Sequence, residues 1–133
     1  MAVAERPAFQ IHRQRGRKDC GVATLATLLG RTYEEVLVVA GRIAPTVLRK
    51  GLYSSDLVRI AAEFDVLLTR RVQKIDLEDH TGILGLEYSR KRFHAVFLTH
   101  GLIFDPQEDY IAWDAETFVK REKARIYDLL EEA

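Results

Sequence analysis

Cys20, the single cysteine of the chain, lies where a thiol could act as a nucleophile. It follows Asp19 and precedes Gly21 and a run of apolar residues that predicts a helix beginning at this point. A free thiol has a reference pKa of about 8.5 and is mostly protonated at neutral pH, whereas the N–H groups at a helix N-terminus stabilise the thiolate. The sequence therefore places the sulfur where it can be activated for attack on a carbonyl carbon.

Two further residues could complete a site for acyl transfer. His94 opens the apolar segment 94–98, and Asp105 follows the apolar segment 101–104. Thr99-His100-Gly101 predicts a tight hairpin between these segments, so the second strand should return Asp105 to the end at which His94 lies. Thiol acyl transfer needs a nucleophile, a base and an acid that orients the base. We expect Cys20, His94 and Asp105 to fill these roles in that order.

Each of these residues taken alone has a simpler interpretation. An intracellular cysteine such as Cys20 is usually an inert buried thiol, and His94 by itself is most simply a hydrogen-bonded strand histidine. Asp105-Pro106 by itself is a turn. The three residues together, in an order that suits one site, favour a catalytic interpretation.

The first half of the chain predicts helices. The run 21–29 is apolar almost all round, which is typical of a buried helix, and Gly30 is suited to end it. A capping-box pattern at 32–35 begins a short second helix, and Ser54 or Ser55 can cap a third. The expected spans are 21–29, 33–40 before Gly41, and 54 to about Asp65, with a loop or a broken helix between Gly41 and Tyr53.

The second half changes from helical to strand periodicity. Its apolar segments are short and rich in β-branched and aromatic residues. Asp114 can cap a late amphipathic helix, and the segment 124–130 fits either an edge strand or a helix. Helices followed by an antiparallel sheet make an α+β protein. The expected strands are 66–72, 83–88, 94–98 and 101–104, with a polar connection at 89–92.

Composition excludes several classes of protein. A chain of 133 residues that is 47% hydrophobic fits one domain, residues 1–133, with a real core. Lys plus Arg and Asp plus Glu both total 20, so net charge gives no reason to expect nucleic acid or membrane binding. No segment approaches the roughly 20 apolar residues that span a bilayer, and the N-terminus has no signal-peptide pattern. We expect a cytoplasmic protein that uses no cofactor.

Local charge is less even than net charge. His12, Arg13, Arg15, Arg17 and Lys18 precede the nucleophile, and Arg90, Lys91 and Arg92 precede His94. Such runs are usually solvated loops, but two beside one site could lower the pKa of the thiol or attract an acidic substrate. His12, His80 and His100 have no metal-ligand spacing, so we expect no metal.

The motif around Cys20 resembles the active-site segment of the papain-fold C39 peptidases. Gln14 stands before Asp19-Cys20-Gly21 at that family's spacing, and His94-Ala95-Val96 and Asp105-Pro106 look like its histidine strand and Asp-Pro corner. These peptidases remove double-glycine leaders from bacteriocins. The resemblance implies a papain-like fold with the nucleophile at the start of a central helix. It also implies that Cys20 is the nucleophile, His94 the base and then acid, Asp105 the orienting residue and Gln14 an oxyanion-hole donor.

The expected function is therefore that of a standalone cysteine peptidase acting on a peptide or protein, with Gly-Gly before the scissile bond as a fitting substrate. Two neighbours of the nucleophile receive supporting roles: Asp19 is expected to cap the helix through the N–H of Val22, and Gly21 to leave room for the substrate carbonyl. A glutamine deamidase or transamidase would use the same triad. A noncatalytic peptide-binding module remains a third alternative, although the presence of Cys20 favours an enzyme.

Overall fold

The computed structural model describes residues 9–89, 92–107 and 112–133. Helices fill the first half of the chain, and an antiparallel sheet with one further helix fills the second. The helices are α1 (Cys20–Leu29), α2 (Tyr33–Ile43), α3 (Val47–Lys50), α4 (Ser54–Glu63) and α5 (Ala115–Glu122). The strands are β1 (Leu68–Arg71), β2 (Gly82–Tyr88), β3 (Arg92–Thr99), β4 (Leu102–Phe104), β5 (Ala112–Asp114) and β6 (Arg125–Glu132).

The helix predicted after Cys20 is confirmed, and it lies inside the protein. Every residue from Gly21 to Leu28 is buried, and Gly30 ends α1 in the left-handed conformation, with its N–H donated to the carbonyl of Ala26. A helix without a polar face must be covered on all sides. Its neighbours are α2, α4, β2 and β3. The helix that begins with the cysteine is thus held rigidly by the core.

Two helix boundaries differ from the prediction. Gly41 does not end α2, which runs on to Ile43, because one glycine costs a helix only about 1 kcal/mol. Neither Ser54 nor Ser55 caps α4: the N-cap residue is Tyr53, whose N–H donates to the Asp56 carboxylate over 2.9 Å. The Ser54 hydroxyl is engaged elsewhere, 2.6 Å from the carboxylate of Asp128.

The sheet has the order β1-β6-β2-β3-β4-β5, and each neighbouring pair is antiparallel. The predicted hairpin between β3 and β4 is present, with Thr99 paired to Leu102. His100 and Gly101 form its turn with φ of 50° and 75°, the positive values that a two-residue hairpin requires. The expected connection at 89–92 falls partly on residues 90 and 91, which lie outside the described residues.

The prediction for the segment 124–130 is corrected by the structure. The segment is a strand, as one alternative had it, but β6 lies between β1 and β2 instead of at an edge. Leu130 packs with the core under α1, α2 and α4, whereas Leu129 packs with the second core beside α5. Successive residues of a strand point to opposite faces, so two adjacent buried leucines mark a strand that is covered on both sides.

Candidate active site

The site is built where the first turn of α1 meets β3. Cys20 is the first residue of α1 and is partly buried. Gly21 after it does not face open space: a Cβ there would lie 3.3 Å from a methyl carbon of Leu57 and 3.4 Å from the Cβ of Leu52. The absence of a side chain at Gly21 therefore allows α1 to pack closely against α4, a role different from the substrate access expected from the sequence.

His94 and Asp105 are brought together by the β3–β4 hairpin. The Nε2 atom of His94 lies 2.7 Å from Oδ1 of Asp105, and the two side chains are only 8% and 6% exposed. The same carboxylate oxygen accepts the backbone N–H of Gln107 over 3.0 Å. The prediction that the hairpin returns Asp105 to the end at which His94 lies is therefore confirmed. A buried carboxylate with two donors holds the imidazole ring in one orientation.

The thiol of Cys20 lies beside the ring of His94, close enough for each group to shift the pKa of the other. Because Nε2 faces Asp105, the nitrogen that remains for the sulfur is Nδ1. The imidazole of His94 thus lies between the sulfur of Cys20 and the carboxylate of Asp105. This is the arrangement in which an imidazole can exchange a proton with a thiol while its other nitrogen is fixed.

The electrostatics of the chain favour an ion pair. Burial of Cys20 opposes its ionisation, but the hydrogen bond and the positive charge of His94 outweigh burial and lower the pKa of the thiol. Burial likewise opposes the charge on His94, yet its bonds to Asp105 and Cys20 raise the pKa of the imidazole to about 9. The pKa of Asp105 is lowered despite its burial, because it accepts from His94. At neutral pH the site is therefore suited to hold a thiolate beside an imidazolium.

Tyr88 forms one wall of the site. Nothing in the sequence predicted that this residue would contact His94. Its ring stacks on the imidazole of His94, with ring centroids 6.1 Å apart and an angle of 27° between planes. Burial and the nearby Asp105 charge raise the pKa of its phenol, so Tyr88 stays neutral. The ring limits the room in which the imidazole can turn.

Asp19 is the residue whose role the sequence predicted wrongly. Its side chain caps no helical N–H group of α1. It accepts instead the N–H groups of Arg15 at 2.7 Å and Gly16 at 2.9 Å, together with the hydroxyl of Tyr33 at 2.7 Å. Burial alone would raise the pKa of this carboxyl, but these donors lower it, so Asp19 remains ionised although it is buried. Asp19 therefore fixes the loop that carries Gln14, and not the helix.

Gln14 lies beside the Asp-Pro corner. Its backbone N–H donates to the carbonyl of Pro106 over 2.9 Å, and its side-chain Nε2 donates to the carbonyl of Gly16 over 2.8 Å. Among the described residues, the buried Oε1 atom of Gln14 has no hydrogen-bond partner. An amide nitrogen carries two hydrogens, so Nε2 keeps one for a further acceptor. The role of Gln14 at an oxyanion stays a prediction.

Another histidine noted in the sequence, His12, has its contacts outside the triad. His12 donates its backbone N–H to Thr27, and burial and the charge of Arg15 lower the pKa of its ring. No group of three metal-binding side chains is found in the part of the chain that the structure describes. In the same residues, no helix has the length and apolarity needed to cross a membrane.

Comparisons with known proteins find similarity in structure but not in sequence. No family model matches the chain, and no curated protein matches it. The chain is similar to the crystal structure of a double-glycine motif protease from an AMS/PCAT transporter in complex with the leader peptide. The TM-score is 0.67 at 20% sequence identity, and the match covers 96% of this chain and 92% of the other. The α+β, papain-like fold expected from the Cys20 motif is therefore confirmed, and the chain shares the fold of a double-glycine protease.

Proposed function

We propose that the protein is a cysteine peptidase that cleaves a peptide or protein substrate with Cys20, His94 and Asp105. The observation that carries the proposal is the buried, hydrogen-bonded pair of His94 and Asp105 beside the Cys20 thiol, on the fold of a double-glycine protease. Buried ion pairs of this kind are costly to maintain. Shifted pKa values that favour a thiolate and an imidazolium are what a peptidase needs from such a pair.

The reaction follows from the geometry. The Cys20 thiolate attacks the carbonyl carbon of the scissile amide, and the carbonyl oxygen becomes an oxyanion. Backbone N–H groups at the start of α1 have no partner within the helix and can stabilise that charge, as can the free hydrogen on Nε2 of Gln14. His94 gives its proton to the leaving amine, and a thioester to Cys20 remains. His94 then removes a proton from water, the hydroxide attacks the thioester, and the released thiolate regains its ion pair.

The substrate we propose carries two small residues before the scissile bond. The similar protease is a double-glycine motif protease that was crystallised with a leader peptide. A shared fold supports a groove of similar width beside the nucleophile. Gly-Gly is the simplest pair for such a groove.

The test is cleavage of synthetic peptides that contain a central Gly-Gly, followed by mass spectrometry. We expect cleavage after the second glycine, and a loss of at least ~10³-fold in the Cys20→Ser variant, because an alcohol is not ionised by the same environment. His94→Asn should show a similar loss. His100→Asn is the matched control, since His100 lies in the exposed β3–β4 turn and should leave turnover unchanged.

Mass spectrometry also separates the peptidase from other acyl chemistry. A deamidase would release ammonia from a glutamine peptide and shift its mass without breaking the chain. A folded wild-type protein that leaves all Gly-Gly peptides intact and whose Cys20 resists alkylation would contradict the proposal.

A further inference from the structure

A polar groove of about 750 Å³ lies directly beside the proposed catalytic residues. Gln14 and Gln107 belong to its lining, and both are tied to the Asp-Pro corner. The N–H of Gln14 donates to Pro106, and the N–H of Gln107 donates to the carboxylate of Asp105. The groove is therefore joined to the proposed site at this corner. The rest of the lining comes from the loop 15–18, from Leu48 and Arg49 of α3, and from Arg92 at the start of β3.

The charge of the groove is of one sign. Among the described residues, its lining includes the basic residues Arg15, Arg17, Lys18, Arg49 and Arg92 and no carboxylate. This concentration is local, because acidic and basic residues are equal in number over the whole chain. The basic residues come from three separate segments of the sequence, so the fold, and not one basic run, brings them together.

Most of these cations lack a partner within the described part of the protein. Arg15 forms an ion pair with Glu34 over 2.7 Å and lies over the ring of Tyr33. No ion pair with a described carboxylate involves Arg17, Lys18, Arg49 or Arg92, and all four side chains are exposed. Elsewhere on the same surface, arginines such as Arg70, Arg71 and Arg125 are paired. The groove therefore gathers four exposed cations that form no ion pair with a described carboxylate.

We propose that this groove binds acidic side chains of the peptide substrate on one side of the scissile bond. The proposal rests on the proposed peptidase function and names the class of peptide that the enzyme selects. Long, exposed Arg and Lys side chains adapt to carboxylates in several positions, and each such pair contributes only a few-fold in affinity. Several pairs along one extended segment produce a preference that a single pair would not.

The experiment compares three synthetic peptides with the same central Gly-Gly. One carries four glutamates after the scissile bond, one carries four before it, and the third has glutamine at all of these positions. We expect glutamate on one flank to raise kcat/KM about tenfold over the glutamine peptide, mainly through KM. At 1 M NaCl the Debye length is only about 3 Å, so the advantage should largely disappear.

Charge reversal locates the effect. Arg49→Glu and Arg92→Glu should each reduce the ratio of kcat/KM for the glutamate peptide to kcat/KM for the glutamine peptide several-fold. Arg59→Glu is the matched control, because Arg59 is an exposed arginine of α4 that does not line the groove. Equal kcat/KM for the glutamate and glutamine peptides would overturn the proposal while the peptidase function stands. A glutamate preference that Arg49→Glu does not reduce would overturn it as well.

A second readout does not depend on cleavage. Iodoacetate is an anion and iodoacetamide is neutral, and both alkylate the Cys20 thiolate. Positive charge in the groove should raise the rate of alkylation by iodoacetate relative to the rate with iodoacetamide. Arg49→Glu should lower this ratio of rates, whereas Arg59→Glu should not. If no Gly-Gly peptide is cleaved, this ratio still decides whether the groove attracts carboxylates. An oligodeoxythymidylate and a glutamate peptide of equal charge can also be compared as inhibitors of the alkylation by iodoacetate. Stronger inhibition by the oligodeoxythymidylate would overturn the proposal in favour of nucleic acid.

Discussion

Two buried carboxylates in the same sheet region, Asp105 and Asp128, differ in what they are bonded to. Asp105 accepts from the imidazole of His94 and from the backbone of Gln107. Asp128 is 1% exposed and accepts from the hydroxyl of Ser54 at 2.6 Å and from Nε of Arg70 at 2.8 Å. Burial and hydrogen bonding are therefore alike at the two sites.

The difference lies in the partner's ability to change charge. The guanidinium of Arg70 stays charged at every accessible pH, so the Asp128 cluster is a fixed connection between β6, α4 and β1. The imidazole of His94 can gain and lose a proton, and it passes the effect of Asp105 on to the thiol of Cys20. A buried carboxylate thus indicates a catalytic role only when its hydrogen-bond partner can titrate and also contacts a potential nucleophile.

The largest expected effect on stability is at Asp128. Asp128→Ala leaves Arg70 and Ser54 without their acceptor, and we expect the free energy of unfolding to fall by about 3 kcal/mol. Urea denaturation measures this change. Cleavage measured well below the unfolding transition should stay within twofold of wild type, and a large loss of turnover in the folded variant would show that the cluster also serves the site.

Asp105→Ala should give the opposite result, a loss mainly of activity. Without the carboxylate the ring of His94 loses its fixed orientation and the support of its positive charge, and we expect kcat/KM to fall ~100-fold. Asp105→Asn is the matched variant: its amide oxygen still accepts from Nε2, so a loss of only ~10-fold is expected. Equal losses in both variants would mean that charge, and not orientation, is what Asp105 supplies.

The pH dependence of Cys20 tests the titratable partner directly. The pKa of Cys20 is lowered by His94, so its alkylation by iodoacetamide should persist below the pH at which an ordinary thiol becomes protonated. In His94→Asn, nothing offsets the effect of burial on the pKa of Cys20. The pH midpoint of the alkylation rate should therefore rise by at least about one unit. Turnover should also fall above about pH 9, where His94 loses the proton it gives to the leaving amine. If His94→Asn leaves the pH midpoint of Cys20 alkylation unchanged, the ion pair between Cys20 and His94 is contradicted.

The smallest expected effect concerns Asp19, the third buried carboxylate. Tyr33→Phe removes one of its three donors and should lower the free energy of unfolding by about 1 kcal/mol. Because the N–H groups of Arg15 and Gly16 still hold the loop, we expect kcat/KM to change by no more than about twofold. A tenfold loss would show that Tyr33 helps to set the position of Gln14.

Features encoded in neighbouring residues were predictable from the sequence. The helix after Cys20 and the hairpin at His100–Gly101 depend on local pattern and turn chemistry, and both are found. The approach of Asp105 to His94 followed from that hairpin alone. Two strand details were not predicted: β5 has only three residues and no clear alternation, and the central place of β6 depends on pairing with β1 and β2, which are distant in sequence.

The supporting contacts of the site could not be predicted for the same reason. Asp19 precedes a helix, and its residue type favours a cap, but three donors from the preceding loop and α2 hold it instead. The stacking of Tyr88 on His94 depends on the register between β2 and β3, and the sequence of neither strand alone determines that register. Local rules thus predicted that His94 and Asp105 meet, whereas tertiary packing determined what holds the residues of the proposed site.

The central position of β6 has a consequence for the synthesis of the protein. The ribosome produces Cys20, His94 and Asp105 before it reaches β6, yet β1 joins the sheet only through β6, in a register that pairs Leu68 with Glu132. Long-range pairing of this kind is slow and must await both partners. The nascent chain therefore carries Cys20 on an incomplete scaffold until Glu132 has emerged, and we expect the proposed peptidase activity only after translation has passed that residue.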